Sequence, residues 1–451
     1  MAAQSAHKPT RQKKGLRSLC RAPQLTLPAM TVQLAMTAFL TMTAFSSQLS
    51  PLAHPPDWSR LDRFQETITH DEFEHLLTAI YAPSGAGDQW IVVQPNQAVI
   101  QESEGHQFIL RFAADDSSRK PVPRYWTPID HLRRSPSKPL KGITIAIDPG
   151  HLGGKWAKME ERWFRIGDSK PVTEGDMTLK VALLLVPRLK ALGANVALVR
   201  FKPGPVTQKR PNELLDQAKA SLAEHGVTTL LPDYSGPDDP QKENSIPWEA
   251  ERLFYRVAEI RARANIVNLS IKPDVTLCLH MNAEPWGDPA HPTLVQANHL
   301  HLITNGTYSK EELANEDVRF AMLVKLLNQV CPEELALSET IAAQLAKVTH
   351  LPPYTYTTAN AKSLGTSGYV WARNLIANRL YDCPVVYIES YVMNNEEVFA
   401  RIQAGEYAGL RNFGGVMRKN IYIEYADGIV NGLVAYATSA RTENRKPKTD
   451  N

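Results

Sequence analysis

Two histidines, each at the end of an apolar segment, are the residues best placed to do chemistry. His151 follows the run 143–147 and the break at Pro149-Gly150, and His280 follows the run 274–279. Both runs have the composition of short buried strands bounded by loop residues. Open α/β sheets have their functional residues and ligands at the carboxyl ends of parallel strands. A metal ion bound by both imidazoles is therefore the first hypothesis.

Two glutamates occupy comparable positions. Glu174 opens the segment 174–192, whose apolar residues recur at helical spacing. A carboxylate at a helix N-terminus has an ordinary explanation, because it interacts favourably with the helix dipole. Glu389 ends the apolar run 384–388. A carboxylate beside a hydrophobic core requires a compensating polar partner or a functional role.

The order of these motifs resembles that of a known enzyme family. Asp-Pro-Gly-His at 148–151, a helix opened by Glu174, His-Met-Asn-Ala at 280–283 and an apolar strand ending in Glu389-Ser390 follow one another. The arrangement is similar to that of the zinc-dependent N-acetylmuramoyl-L-alanine amidases (amidase_3 type) of bacterial cell-wall turnover. The resemblance continues through 189–200, 261–265 and 421–436, and it covers most of 141–437.

The resemblance implies a zinc hydrolase. His151, Glu174 and His280 would bind one Zn²⁺ per chain, and Glu389 would act as general base and then as general acid. Two imidazoles and one carboxylate are a common catalytic zinc set that leaves a fourth position for water. The bond cut would be the amide between the lactyl group of N-acetylmuramic acid and L-alanine.

The sequence departs from the family pattern by insertions. His151 and Glu174 are 23 positions apart (174 minus 151), and the stretch between them contains Glu160 and Glu161 as rival ligands. Glu174 is preferred because Glu-Gly-Asp-Met-Thr-Leu matches the family's helix opening. Further insertions at about 201–248 and after His280, with a helix predicted over about 311–330, would either build the walls of the cleft or decorate the periphery. If that helix blocks the site, deletion of 311–330 is expected to raise activity.

Composition excludes some classes of function. The 50 basic and 47 acidic residues give a net charge of +3, and no basic aromatic motif points to nucleic acid. The four cysteines include no CxxC spacing. Cys20 lies in the basic leader, whereas Cys278, Cys331 and Cys383 are predicted to be buried thiols.

Five regions are predicted along the chain. Residues 1–47 combine a basic start with an apolar run and predict an export signal, with an uncleaved membrane anchor as the alternative. Residues 56–114 predict a small α+β accessory domain, with Thr69 and Glu72 as a capping box. Residues 115–140 would be a linker, 141–439 the catalytic domain, and 440–451 a disordered tail.

We therefore expect an α/β fold: a three-layer catalytic domain with a mostly parallel twisted sheet flanked by helices, preceded by the small α+β domain. The protein would be periplasmic or in the cell envelope. Its partners would be peptidoglycan or muropeptides and a possible activator protein, with neither nucleic acid nor a stable membrane span after cleavage of the signal. A zinc peptidase or deacylase acting on another amide, and a catalytically silent peptidoglycan-binding protein, remain the alternatives.

Overall fold

The computed structural model describes residues 48–103, 105–131, 136–285, 287 and 292–443. The predicted export signal, Cys20 and the end of the predicted tail lie outside the described residues. Within these ranges, no helix combines the length and apolar character that a bilayer crossing requires.

The N-terminal part contains the predicted mixture of helix and strands. A 3₁₀ segment (Trp58–Phe64) precedes helix α1 (His70–Leu76), and an antiparallel sheet of three strands follows. These strands are β1 (Ile91–Gln94), β2 (Gln97–Gln101) and β3 (Gln107–Arg111). The Thr69 hydroxyl accepts a hydrogen bond from the Glu72 N–H at 3.4 Å, so the predicted helix start is confirmed.

Strands and helices alternate through the rest of the chain. The first half has, in order, β4 (Thr144–Pro149), β5 (Trp163–Phe164), β6 (Val172–Thr173), α2 (Glu174–Ala191), β7 (Asn195–Leu198), α3 (Leu215–Glu224), α4 (Ile246–Arg252), α5 (Glu259–Asn265) and β8 (Val275–Asn282). The second half has β9 (Leu300–Thr304), α6 (Lys310–Ala314), α7 (Glu316–Leu327), α8 (Cys331–Thr349), β10 (Lys362–Leu364), β11 (Val370–Ala372), α9 (Ile376–Leu380), β12 (Val385–Val392), α10 (Glu396–Gln403), β13 (Leu410–Phe413), β14 (Val416–Lys419) and α11 (Ile421–Glu443).

Seven of these strands form the central sheet, in the order β10-β11-β9-β12-β8-β4-β7. Strands β7, β4, β8 and β12 are mutually parallel. Strand β9 pairs antiparallel with β12, and β11 then runs parallel to β9. The predicted mostly parallel sheet is thus confirmed, with a reversed extension beyond β12.

Helices cover both faces of this sheet, as predicted for a three-layer fold. Alternate side chains of a strand point to opposite faces, so β4 and β8 divide their apolar residues between two cores. Ile145, Ile147, Leu277 and Leu279 pack with α2, α8 and α11. Ala146 and Cys278 belong to a second cluster with residues of α5 and α9.

The N-terminal sheet and α7 share one hydrophobic cluster. The Trp58 ring lies edge-on to Phe320 of α7 with their centroids 5.4 Å apart, and its Nε1 donates to Glu316 at 2.7 Å. The helix predicted over 311–330 is present as α6 and α7, separated at Asn315. Apolar residues of α7 are therefore covered by the N-terminal part of the chain, including its 3₁₀ segment.

The segment predicted as a linker also packs on the catalytic sheet. Trp126, Ile129 and Leu140 are buried, and the Thr127 N–H donates to Asp274 at 2.9 Å. The three cysteines within the described residues, Cys278, Cys331 and Cys383, are buried free thiols as predicted. Helix α11 continues to Glu443, past the predicted domain end at 439.

Candidate metal site and cleft

A buried ion pair fixes the end of β4. Asp148, which is 4% exposed, accepts hydrogen bonds from the Arg263 guanidinium at 2.8 Å and from the Tyr381 hydroxyl at 2.5 Å. Arg263 also donates to the His151 carbonyl at 2.9 Å. The loop that carries His151 is thereby attached to α5 and to the segment after α9.

A second buried arginine joins this loop to α2. Arg200, just after β7, donates to the carbonyls of Pro149, Gly150 and Gly175 at 3.3, 3.2 and 2.8 Å. Gly175 is the second residue of α2, so the loop and the helix N-terminus are held against each other. This contact places His151 and Glu174 side by side despite the 23 positions that separate them.

Close backbone approach explains two glycines of this region. A Cβ atom added to Gly150 would lie 2.3 Å from Cε1 of His280, and one added to Gly175 would lie 2.3 Å from the Gly153 nitrogen. His151 itself adopts a φ of 60°, in the left-handed region that non-glycine residues rarely occupy. Such conformations cluster at functional sites, where the surrounding contacts impose them.

The structure brings His151, Glu174 and His280 together. One Glu174 carboxylate oxygen lies 3.1 Å from His151 Nε2, and the other lies 3.2 Å from His280 Nδ1. One ligand atom from each residue lies within 4.8 Å of the other two, so the cluster could hold a metal ion. Among the described residues this is the one cluster of at least three His, Cys, Asp or Glu side chains with that property.

The electrostatics of the cluster favour a cation. Burial opposes the charged form of His151, but the carboxylates of Glu174 and Glu160 outweigh it and raise the pKa of His151 to about 9. Burial opposes the charged form of Glu174 too, yet the positive charge of His151 and the histidine hydrogen bonds hold the pKa of Glu174 well below its usual range. Carboxylates that stay ionised when buried are suited to a bound positive ion.

The structure separates the two rival carboxylates from Glu174. Glu160, 4% exposed, accepts from His151 Nδ1 and from the Leu152 N–H, both at 2.9 Å. Glu161 points elsewhere and bonds the Lys242 ammonium at 2.8 Å and the Trp248 indole N–H at 3.0 Å. Glu160 therefore contacts the opposite side of the His151 ring from Glu174.

Glu389 lies in the row of side chains next to His280. In the strand register Glu389 of β12 is paired with His280 of β8 and with His301 of β9, so the three residues share one level of the sheet. Burial, and then the negative charge of Glu174, raise the pKa of Glu389 to about 8. Glu389 is not part of the three-residue cluster.

A cavity of about 470 Å³ contains all four predicted site residues. Most of its other walls come from the first insertion and from the reversed end of the sheet with its neighbouring loops: Glu161, Arg162, Trp163, Phe164, His301, Ile303, Tyr356, Arg373 and Leu375. Arg256, just before α5, and Tyr387 of β12 complete the lining. The insertion between His151 and Glu174 thus builds a wall of the cleft. Within the described residues, no side chain of 201–248 or of 311–330 lines this cavity.

Several residues of the cleft had no signal in the sequence motifs. His301, Tyr356 and Arg373 belong to a region without family motifs. The alternation His-Leu-His-Leu at 299–302 is the one pattern that could have indicated a strand with polar residues on one face. Its position beside Glu389 depends on the antiparallel pairing of β9, which the sequence did not reveal.

The similar proteins found for this chain are solved structures. No family model matches the chain, and no curated protein matches it either. Among solved structures, the N-acetylmuramyl-L-alanine amidase Ami1 from Mycobacterium abscessus is similar, with 18% identity and a TM-score of 0.34 over 66% of this chain and 99% of that one.

Two further solved structures have comparable values. The CwlD amidase from Clostridioides difficile, in complex with the GerS lipoprotein, has 15% identity and a TM-score of 0.35 over 66% of this chain and 100% of that one. The N-acetylmuramoyl-L-alanine amidase AmiC2 of Nostoc punctiforme has 13% identity and a TM-score of 0.33 over 67% and 99%. Values this low establish neither membership nor activity, which must be argued from the site itself.

Proposed function

We propose that this protein is a zinc-dependent amidase that hydrolyses the bond between the lactyl group of N-acetylmuramic acid and L-alanine in peptidoglycan. The observation that carries the proposal is the convergence of His151, Glu174 and His280 in one cavity with Glu389. The motif order supports this substrate class, because it resembles that of the amidases named in the sequence analysis.

The donor set fits zinc better than a harder cation. Imidazole nitrogens suit Zn²⁺, whereas Ca²⁺ and Mg²⁺ prefer oxygen ligands throughout. His151, Glu174 and His280 would hold the ion with two imidazoles and one carboxylate, whose ligand atoms lie within 4.8 Å of one another. When bound, zinc would supply the Lewis acidity that polarises an amide carbonyl and lowers the pKa of a water molecule to about 7.

The protein's own residues would orient the ligands and move the proton. Glu160 accepts a hydrogen bond from His151 Nδ1, so with zinc bound the remaining proton would stay on Nδ1 and Nε2, which faces Glu174, would be the ligand atom. Glu389 would accept the proton of the attacking water on its carboxylate and return it to the departing nitrogen. Its raised pKa suits a group that has to hold this proton between the two steps, and a cation nearby would lower that pKa.

The same proposal covers location and partners. A wall substrate is met outside the inner membrane, which agrees with the export signal predicted at 1–47. The regions 56–114 and 115–140 would then be exported with the catalytic part. An activator protein remains part of the proposal, to be tested by activity with and without envelope extract.

Zinc content and reaction products, measured together, test the proposed function. The purified protein is incubated with peptidoglycan, with His280→Ala as the control variant. We expect about one zinc per chain and release of stem peptides with free L-alanine amino ends, both lost in the control. Zinc without these products would point to another amide or a missing activator, and absence of zinc would favour a silent binding protein.

A further inference from the structure

We propose that Arg373, supported by Tyr356 and His301, forms a subsite that binds a carboxylate of the substrate's stem peptide. The inference rests on the proposed function, because it assigns the part of the substrate that lies beyond L-alanine. Stem peptides carry free carboxylates, whereas the glycan displays neutral hydroxyl and N-acetyl groups and has its lactyl carboxyl group in the amide.

Arg373 is positioned in the cleft by a backbone hydrogen bond to β9 and by two side-chain contacts with Tyr356. The residue follows β11, and its N–H donates to the Thr304 carbonyl of β9 at 3.0 Å. Its Nη1 donates to the Tyr356 hydroxyl at 3.3 Å, and its Cζ lies 5.4 Å from the centroid of the Tyr356 ring. The guanidinium is therefore positioned before any ligand arrives, which reduces the entropy lost on binding.

The hydrogen bonds behind Arg373 run in one direction. Because Arg373 can only donate, the Tyr356 hydroxyl accepts from it and is free to donate its own proton to His301 Nε2, 3.0 Å away. His301 is 3% exposed, and this burial, with the charges of His299 and Arg373, lowers its pKa to about 3. A neutral His301 is the acceptor that this chain of bonds requires.

Aromatic contacts keep Tyr356 in place. Its ring lies edge-on to that of His301, with centroids 5.3 Å apart, and 5.2 Å from that of Trp371 on β11. Tyr354 completes the cluster at 4.9 Å. A rigid platform of this kind fixes the direction in which the remaining guanidinium N–H groups point.

Arg373 lines the cavity, and its positive charge also lowers the pKa of Glu389. Arg162 lies 3.5 Å from the Glu174 carboxylate, and Arg256 lies near Glu161, whose pKa it lowers. No carboxylate within the described residues forms an ion pair with Arg373. Its tyrosine contact leaves guanidinium N–H groups for a carboxylate, which arginine binds in a bidentate manner. Arg373 shares the cavity with Glu389, so this carboxylate would belong to the substrate being cut.

Matched substrates test the subsite. Muramoyl-L-alanyl-D-glutamate and its α-amide differ only in one carboxylate. We expect the full-length protein to favour the acid in kcat/KM by about 10- to 100-fold, mainly through KM, as for a lost hydrogen bond to a charged group. Arg373→Met should abolish this preference, Arg373→Lys should restore part of it, and Arg256→Met, which removes the same charge from the cavity, should retain it.

Binding of the product dipeptides separates this proposal from the proposed function. Calorimetry with L-alanyl-D-glutamate and its α-amide requires no turnover, so it tests the subsite even if neither muramoyl substrate is cleaved. Tighter binding of the acid in the wild type but not in Arg373→Met supports the proposal. Equal binding of the two peptides by the wild type, equal losses on both substrates in Arg373→Met, or the same loss of preference in Arg256→Met would overturn it.

Discussion

Replacement of Glu160 by glutamine should weaken zinc binding without removing a ligand. The Glu160 carboxylate accepts two hydrogen bonds, from His151 Nδ1 and from the Leu152 N–H, both at 2.9 Å. A glutamine side chain has one oxygen and one NH₂ group, so it can accept only one of the two. The other donor would then face a second donor in a buried site, and His151 would lose the contact that fixes its tautomer.

The size of the effect follows from the lost contact. A hydrogen bond to a charged group contributes about 1.5–3 kcal/mol, which corresponds to roughly 10- to 150-fold in an equilibrium constant. Loss of such an outer contact typically reduces metal affinity by about 10- to 100-fold. We therefore expect the zinc dissociation constant of Glu160→Gln to rise by about 10- to 100-fold in a competition titration against a chelator.

Glu161→Gln is the matched control for this experiment. Glu161 is the next residue in the chain, but it bonds Lys242 and Trp248 rather than a histidine. Its variant should bind zinc within about fivefold of the wild type, since an exposed or partly exposed ion pair contributes about 1 kcal/mol or less. Wild-type zinc affinity in a folded Glu160→Gln protein would refute the orienting role, and equal losses in both variants would point to a general effect of charge.

Three other predictions concern the cleft and its support. Glu389→Gln should keep its zinc, measured by metal analysis, while kcat falls by about 10²- to 10⁴-fold because the proton acceptor is lost; near-normal turnover would remove Glu389 from its role. Gly150→Ala should lower the free energy of unfolding in urea by about 1–3 kcal/mol and reduce zinc content, since the new methyl group meets the His280 ring; unchanged values would contradict the packing described. Deletion of 311–330 should yield insoluble protein rather than a more active enzyme, because α7 belongs to a buried core; a soluble and more active variant would restore the blocking hypothesis.

The sequence predicted the parallel half of the sheet because each strand ended on a recognisable residue. Strands β4, β8 and β12 are buried on both faces, so they appear as short continuous apolar runs with His or Glu beyond. The choice between Glu174 and Glu160 could not be made from spacing. It depends on Arg200, which binds the loop and the first turn of α2 together.

The reversed half of the sheet was not predictable in the same way. Strands β10 and β11 contain three residues each, too few for an alternating pattern to distinguish them from a loop. The pairing of β10 and β11 depends on β9, which runs antiparallel to β12. This arrangement brings His301 and Arg373 into the cleft. The sequence pattern indicates one apolar stripe on α7 but not the burial of its other faces, because the residues that cover them lie far away in the N-terminal part of the chain.

The shared cluster of the N-terminal sheet and α7 has a consequence for how this chain folds. Trp58 and Glu316 are 258 positions apart, so the cluster that the N-terminal part shares with α7 cannot be completed until most of the polypeptide is available. Contacts of such sequence separation close large loops and slow the search for the native state. The N-terminal part is synthesised well before α7 but would be completed only with it, and in the meantime its incompletely covered apolar residues would be an aggregation hazard that a chaperone could relieve.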